Sequence, residues 1–160
     1  MLHNFPYDIE THVDHGAAFP GIDTTKRPIL AVMLRSSIAQ APCEALVDSG
    51  ADYCLFPWYL IKDLGLRMAD ATPISGIFGY GDSSDAAIPF WRLDLDVMAP
   101  PAAGQLWPTT SFSIRTTIGF SAKQDRMGFG LLGQLGFFSE VAQVHFDYKA
   151  GWFRIDAVDL

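Results

Sequence analysis

Carboxylate, hydroxyl and small residues fall together at one place in the chain, Ala45-Leu46-Val47-Asp48-Ser49-Gly50-Ala51-Asp52. An apolar run delivers an acid, a hydroxyl and a glycine in immediate succession, and the chain turns apolar again through Tyr53-Cys54-Leu55-Phe56-Pro57. A strand ending at Val47 lifts Asp48 out of a sheet on a tight turn. Gly50 is expected to supply a backbone conformation that a Cβ would hinder, and to let another chain segment approach closely. Amides of such a turn donate to the Asp48 carboxylate and fix its direction, which a working acid or base requires. The chemistry suggested is proton transfer by an oriented carboxylate. The plainer alternative is a strand followed by an Asx turn, in which Asp48 only bonds its own backbone.

Other reactive groupings carry less. Asp8, Glu10, His12, Asp14 and His15 invite a metal reading. His12 and His15 lack the third convergent ligand and the rigid element that a metal site needs, so a solvated segment and no metal are expected. Gly128-Phe129-Gly130-Leu131-Leu132-Gly133 has the spacing of a dinucleotide-binding fingerprint. That fingerprint needs a preceding strand, a full helix, a second strand and an acid about 20 residues on. The residues after Gly133 read instead as a short helix and a hairpin, so no cofactor is expected. The sequence contains no Gly-x-Ser-x-Gly elbow, His-Glu-x-x-His or phosphate loop. His145 lies in an alternating stretch and reads as structural.

The elements that must hold Asp48 can be read from composition and pattern. A length of 160 residues, 49% of them hydrophobic with 14 glycines and 10 prolines, suits one compact β-rich domain. The net charge of −7 argues against nucleic acid and against an anionic membrane surface. No stretch approaches the ~20 apolar residues of a membrane span. The N-terminal residues lack the basic start and apolar core of a secretory signal. A cytoplasmic location is the resulting expectation. Cys43 and Cys54 are too few for a disulfide framework; a bridge across a hairpin and two reduced thiols both remain open.

Residues 1–26 read as an N-terminal arm with one short strand near Tyr7 to Val13, and residues 27–160 as the domain. Ile29 to Leu34 is a continuous apolar run, expected to be a strand buried on both faces or nearly so. Cys43 to Val47 is the strand that carries Asp48. Pro57 to Leu64 reads as a short helix stopped by Gly65, since Leu60, Ile61 and Leu64 share a face. Thr72 to Met98 reads as a hairpin that turns at Gly81-Asp82-Ser83-Ser84, with Leu93, Leu95 and Val97 alternating against Asp94 and Asp96. Thr110 to Arg115 is a further alternating strand, and 119–128 is expected to be irregular. Val144 to Tyr148 and Trp152 to Ile155 form a closing hairpin.

Asp48-Ser49-Gly50-Ala51, flanked by Leu46-Val47 and Asp52, resembles the active-site loop of the retropepsin-like (retroviral-type) aspartic proteases. Leu131-Leu132-Gly133, succeeded by a short helix and then a terminal hairpin, is similar to the family's closing pattern, and the resemblance spans roughly residues 27–156. The version Leu-Leu-Gly-Gln-Leu-Gly-Phe-Phe looks closest to bacterial members. The resemblance implies an all-β fold: a closed barrel with a flap hairpin and one or two short helices. It assigns Asp48 as the catalytic acid, with Ser49, Gly50 and Ala51 in its loop. Asp52, Gly79, Tyr80 and Gly81 would bind substrate, and Leu131, Leu132 and Gly133 would support the loop from beneath.

One Asp cannot run that mechanism, because aspartic proteases use two carboxylates that share a proton. The chain has no second Asp-Ser/Thr-Gly. The implied enzyme is therefore a homodimer cutting a peptide or protein substrate, each subunit giving one Asp48. An inactive peptide- or protein-binding module on the same fold is the competing reading, and an unrelated barrel with Asp48 as a turn residue is a third. One residue departs from the family pattern. Retroviral members usually place after Leu-Leu-Gly an Arg that pairs with the acid corresponding to Asp52, and this chain has Gln134. Either Arg27, Arg35 or Arg92 substitutes, or the dimer differs from the viral form.

Overall fold

Alternating apolar residues and short turns build a chain made mostly of strands. The computed structural model describes residues 1–11, 16–77 and 87–157. In chain order the strands are β1 (Leu2–Pro6), β2 (Asp8–Thr11), β3 (Thr24–Arg27), β4 (Ile29–Arg35), β5 (Gln40–Val47) and β6 (Leu55–Pro57). After α1 (Leu60–Asp63) come β7 (Thr72–Ile74), β8 (Ile88–Ala99) and β9 (Thr109–Ser121). The chain ends with α2 (Ala122–Met127), β10 (Gly130–Leu132), β11 (Val141–Asp147) and β12 (Trp152–Ala157).

Six strands close on themselves. The order β4-β5-β10-β6-β9-β8 returns to its start because β8 also pairs with β4. Closure leaves no open edge within the ring, which removes the hazard of unpaired strand backbone. β7 attaches outside the ring to β8, antiparallel, with Thr72 opposite Phe90 and Ile74 opposite Ile88. This pairing is the stem of the expected hairpin; its tip, and with it Gly79, Tyr80 and Gly81, lies outside the described residues.

The barrel interior is filled by Leu30, Val32 and Leu34 from β4, Leu93, Leu95 and Val97 from β8, and Phe56, Phe120 and Phe137. β4 is buried on one face only, since Ala31 is exposed and Met33 half-buried. Its apolar run is thus an ordinary barrel strand with small or flexible residues outward. Asp96 departs from the expected outward alternation and is buried. The Arg35 guanidinium grips it through both oxygens, at 2.8 and 2.9 Å, and Ser113 Oγ donates to it at 2.6 Å. A buried carboxylate needs that full set of partners.

The first short helix lies where pattern suggested but is shorter, and the second sits elsewhere. Leu55–Pro57 is strand β6, parallel to β9, and the helix begins only at Leu60. The stretch read as irregular holds the end of β9 and then α2, capped by Ser121 Oγ accepting from the Lys123 amide and stopped by Gly128 at φ 76°. Residues after Gly133 form turns, with the Phe138 amide on the Gly133 carbonyl, rather than a helix.

A second sheet has the order β1-β12-β11. The terminal hairpin is present, turning at Gly151, and β1 adds to it with Phe5 opposite Phe153. β2 pairs with β3, so the first 27 residues hold three strands rather than one. Among the described residues no helix is long and apolar enough to cross a membrane.

Candidate active site

Asp48 stands at the point where β5 leaves the barrel. The strand β10 runs parallel to β5, with Leu131 opposite Leu46 and Leu132 opposite Val47. The Asp48 amide then donates to the Leu132 carbonyl at 3.1 Å, so the pairing continues one residue beyond the strand and fixes where the acid begins. The loop folds back on the side chain. Gly50 N–H donates to Asp48 Oδ1 at 2.9 Å and Ala51 N–H to the Asp48 carbonyl at 3.2 Å. The carboxylate is half-buried and directed, with Ser49 and Gly50 exposed beside it.

Gly50 does this in an unexpected way. It is absent from the glycines with positive φ, so its backbone is one that any residue adopts. What its missing side chain spares is the acid itself: a Cβ there would lie 3.2 Å from Asp48 Oδ1. Gly133 fits its expected role as a spacer. A Cβ on it would run into the backbone of Tyr53 and of Ala51, the carbonyls that pass directly over it.

Around Gly133 the two segments are laced together. Gln134 N–H donates to the Ala51 carbonyl and Leu135 N–H to that of Asp52, both at 2.8 Å, and Cys54 N–H returns to the Leu135 carbonyl at 3.3 Å. Gln134 also acts through its side chain, Nε2 donating to the Ser49 carbonyl at 2.9 Å. The residue that replaces the familiar Arg therefore holds the acid's loop by a neutral amide bond to backbone. Arg27 pairs with Glu10 at 2.7 Å and Arg35 with Asp96, and among the described residues no arginine pairs with Asp52. Pattern reading missed the Gln134 tether because its partner is a carbonyl, which leaves no mark on sequence.

Asp48 opens onto a cavity of about 190 Å³, walled by Ala51, Tyr53, Leu55, Ile77 and Leu131, with Asp52 at its exposed side. Its walls combine apolar side chains with the two acids and backbone in about equal measure. A neighbouring cavity of about 300 Å³ shares Tyr53 and adds Ile74, Phe90, Leu135 and Glu140. The predicted residues Asp48, Ser49, Gly50, Ala51, Asp52, Leu131, Leu132 and Gly133 are thus brought together. Cys54 lies just beneath and Cys43 on β5; both are free, and burial pushes the Cys54 thiol up to about 12, away from reactivity.

A closed six-stranded barrel with this acid-bearing loop and a paired hairpin stem is a retropepsin-like fold. A crystal structure of a retropepsin-like aspartic protease from Rickettsia conorii matches it with a TM-score of 0.54 over 97% of this chain and 92% of that one. Sequence identity is 9%, so the likeness is one of fold. No family model and no curated protein matches the sequence.

Proposed function

We propose that the chain is an aspartic endopeptidase in which two Asp48 carboxylates, one from each subunit of a homodimer, activate a water against a peptide carbonyl. The observation that carries this reading is the Asp48 carboxylate itself, oriented by the Gly50 amide at 2.9 Å at the mouth of a cavity partly walled by Tyr53, Leu55 and Leu131.

Two carboxylates held about 3 Å apart cannot both ionise cheaply, so the pair keeps one proton at mildly acidic pH. The ionised member takes a proton from water as its oxygen attacks the scissile carbon, while the protonated member donates to the carbonyl oxygen. Ser49, exposed beside the acid, would reach the neighbouring subunit's loop. Gly50 and Asp52 would meet the peptide, which would add as an extended strand, and Gly79, Tyr80 and Gly81 are assigned to substrate binding by the family resemblance. Leu131, Leu132 and Gly133 would hold the loop from below.

Incubation with a mixed peptide library between pH 4 and 7 tests the reading, using Asp48→Asn as the comparison. Asn keeps an oxygen for the Gly50 amide, so a loss of about 10²–10⁴-fold in cleavage is chemical rather than structural. Cleavage unchanged in Asp48→Asn would remove Asp48 from the reaction.

A further inference from the structure

Seven arginines occur in the chain, and four of them, Arg35, Arg67, Arg92 and Arg115, line one cavity of about 460 Å³ away from Asp48. Strand register explains the gathering. Arg35 on β4, Asp94 on β8 and Arg115 on β9 lie opposite one another in one row. Residues two apart on a strand share a face, so Arg92 and Asp96 flank Asp94 on that same side. Past Arg35 the β4–β5 turn, Ser36 to Ile38, and the segment Gly65–Asp70 close the cavity over Arg92.

The carboxylates are already taken. Asp96 accepts from Arg35 Nη2 and lies in ion-pair contact with its Nε, Asp94 is held by Arg115 Nη1 at 2.9 Å, and Asp70 by Arg67 Nε and Nη2 at 2.9 and 3.1 Å. Arg92 faces Thr117 across the ribbon and has no carboxylate partner among the described residues. Four guanidinium groups thus meet three carboxylates, on a chain whose overall charge is −7. Arg92 presents five N–H donors, and Arg115 keeps Nε and Nη2 beyond its pair. Ile38, which is exposed, and half-buried Leu66 add apolar surface to the same walls.

We propose that this cavity binds a small molecule carrying an oxyanion, phosphate or carboxylate, on an apolar body. A planar fork matches either oxyanion through two parallel bonds, and the volume is that of an ordinary small-molecule site. Asp48 does not line this cavity, although Arg92 also borders the neighbouring one that holds Tyr53 and Glu140.

Calorimetric titration of the whole chain with phenyl phosphate, benzoate and inorganic phosphate, at matched ionic strength, tests it. Saturable binding is expected, tighter for an aryl compound than for inorganic phosphate. The two aryl arms tell whether phosphate or carboxylate is preferred. Arg92→Gln, which disturbs no internal pair, should weaken binding at least about tenfold, whereas Arg126→Gln on α2, outside the cavity, should leave it unchanged. Thermal melting of both variants shows that they fold. Lack of saturation at millimolar concentrations, equal binding in Arg92→Gln, or displacement of the aryl compound by a short acidic peptide binding more tightly overturns the proposal. The last outcome would make the surface one for a protein partner.

Discussion

Two glycines keep the Asp48 loop in shape, and they do so against different neighbours. A methyl at residue 133 meets the backbone of Tyr53 and Ala51, which cannot give without moving the loop; one at residue 50 presses on a single carboxylate oxygen. Gly133→Ala should therefore lower unfolding stability by about 1–3 kcal/mol in urea titrations, while Gly50→Ala should leave stability nearly intact and slow peptide cleavage by turning the acid. The buried Cys54 thiol ties stability to pH. Its pKa is about 12 in the fold against 9.0 for a thiol in water, so above pH 9 the unfolded chain has released a proton that the folded chain keeps. Stability from this group is complete below pH 9 and falls as pH rises from 9 to 12, by up to about 1.4 kcal/mol per pH unit. Tyr7, also raised by burial, acts with the same sign. Unfolding curves at pH 8 and 10.5 should show a shallower fall in Cys54→Ala than in the unaltered chain. Asp48, Gly133 and their neighbours were legible because their types are rare in that order. The Gln134 side chain was not, since a donor to a distant carbonyl has no partner residue type to betray it.

At the scale of elements, alternation revealed β8 and the first half of β9, and the two turn glycines Gly65 and Gly151 marked true stops. Leu55–Pro57 escaped because three residues cannot show a period, and its strand character comes from lying between β10 and β9. β1 escaped because its partner β12 lies at the other end of the chain. Asp96 looked like an outward residue of β8 and is instead the tie among three strands, bonded by Arg35 from β4 and Ser113 from β9. Asp96→Ala would strand both donors. Since the Arg35 side chain is 42% exposed, its charge regains water, and the cost should be about 1–3 kcal/mol rather than that of a fully buried broken pair. Denaturant midpoints of Asp96→Ala and of the double variant with Arg35→Met check this. The double variant should recover part of the loss, because it leaves no unmatched guanidinium.

The whole molecule supplies one acid-bearing loop, and the proposed reaction asks for two. A twofold assembly makes the same loop face itself, so the reacting pair belongs to neither subunit alone. That dependence separates the protease reading from a groove that only binds, and subunit mixing exposes it. On that account Asp48→Asn chains should fold and pair as the unaltered chain would, because Asn retains an oxygen that can accept from Gly50. Mixed pairs then hold one carboxylate and one amide and cannot share a proton across the axis. With a tenfold excess of Asp48→Asn chains allowed to exchange, unaltered chains find one another in roughly a tenth of their pairings, and cleavage should fall in proportion. Activity at low concentration should likewise rise faster than linearly with protein, as dissociated chains find partners. Cleavage unmoved by the excess, with exchange verified by mass-labelled subunits, would place the whole reaction within one chain and end the two-subunit account.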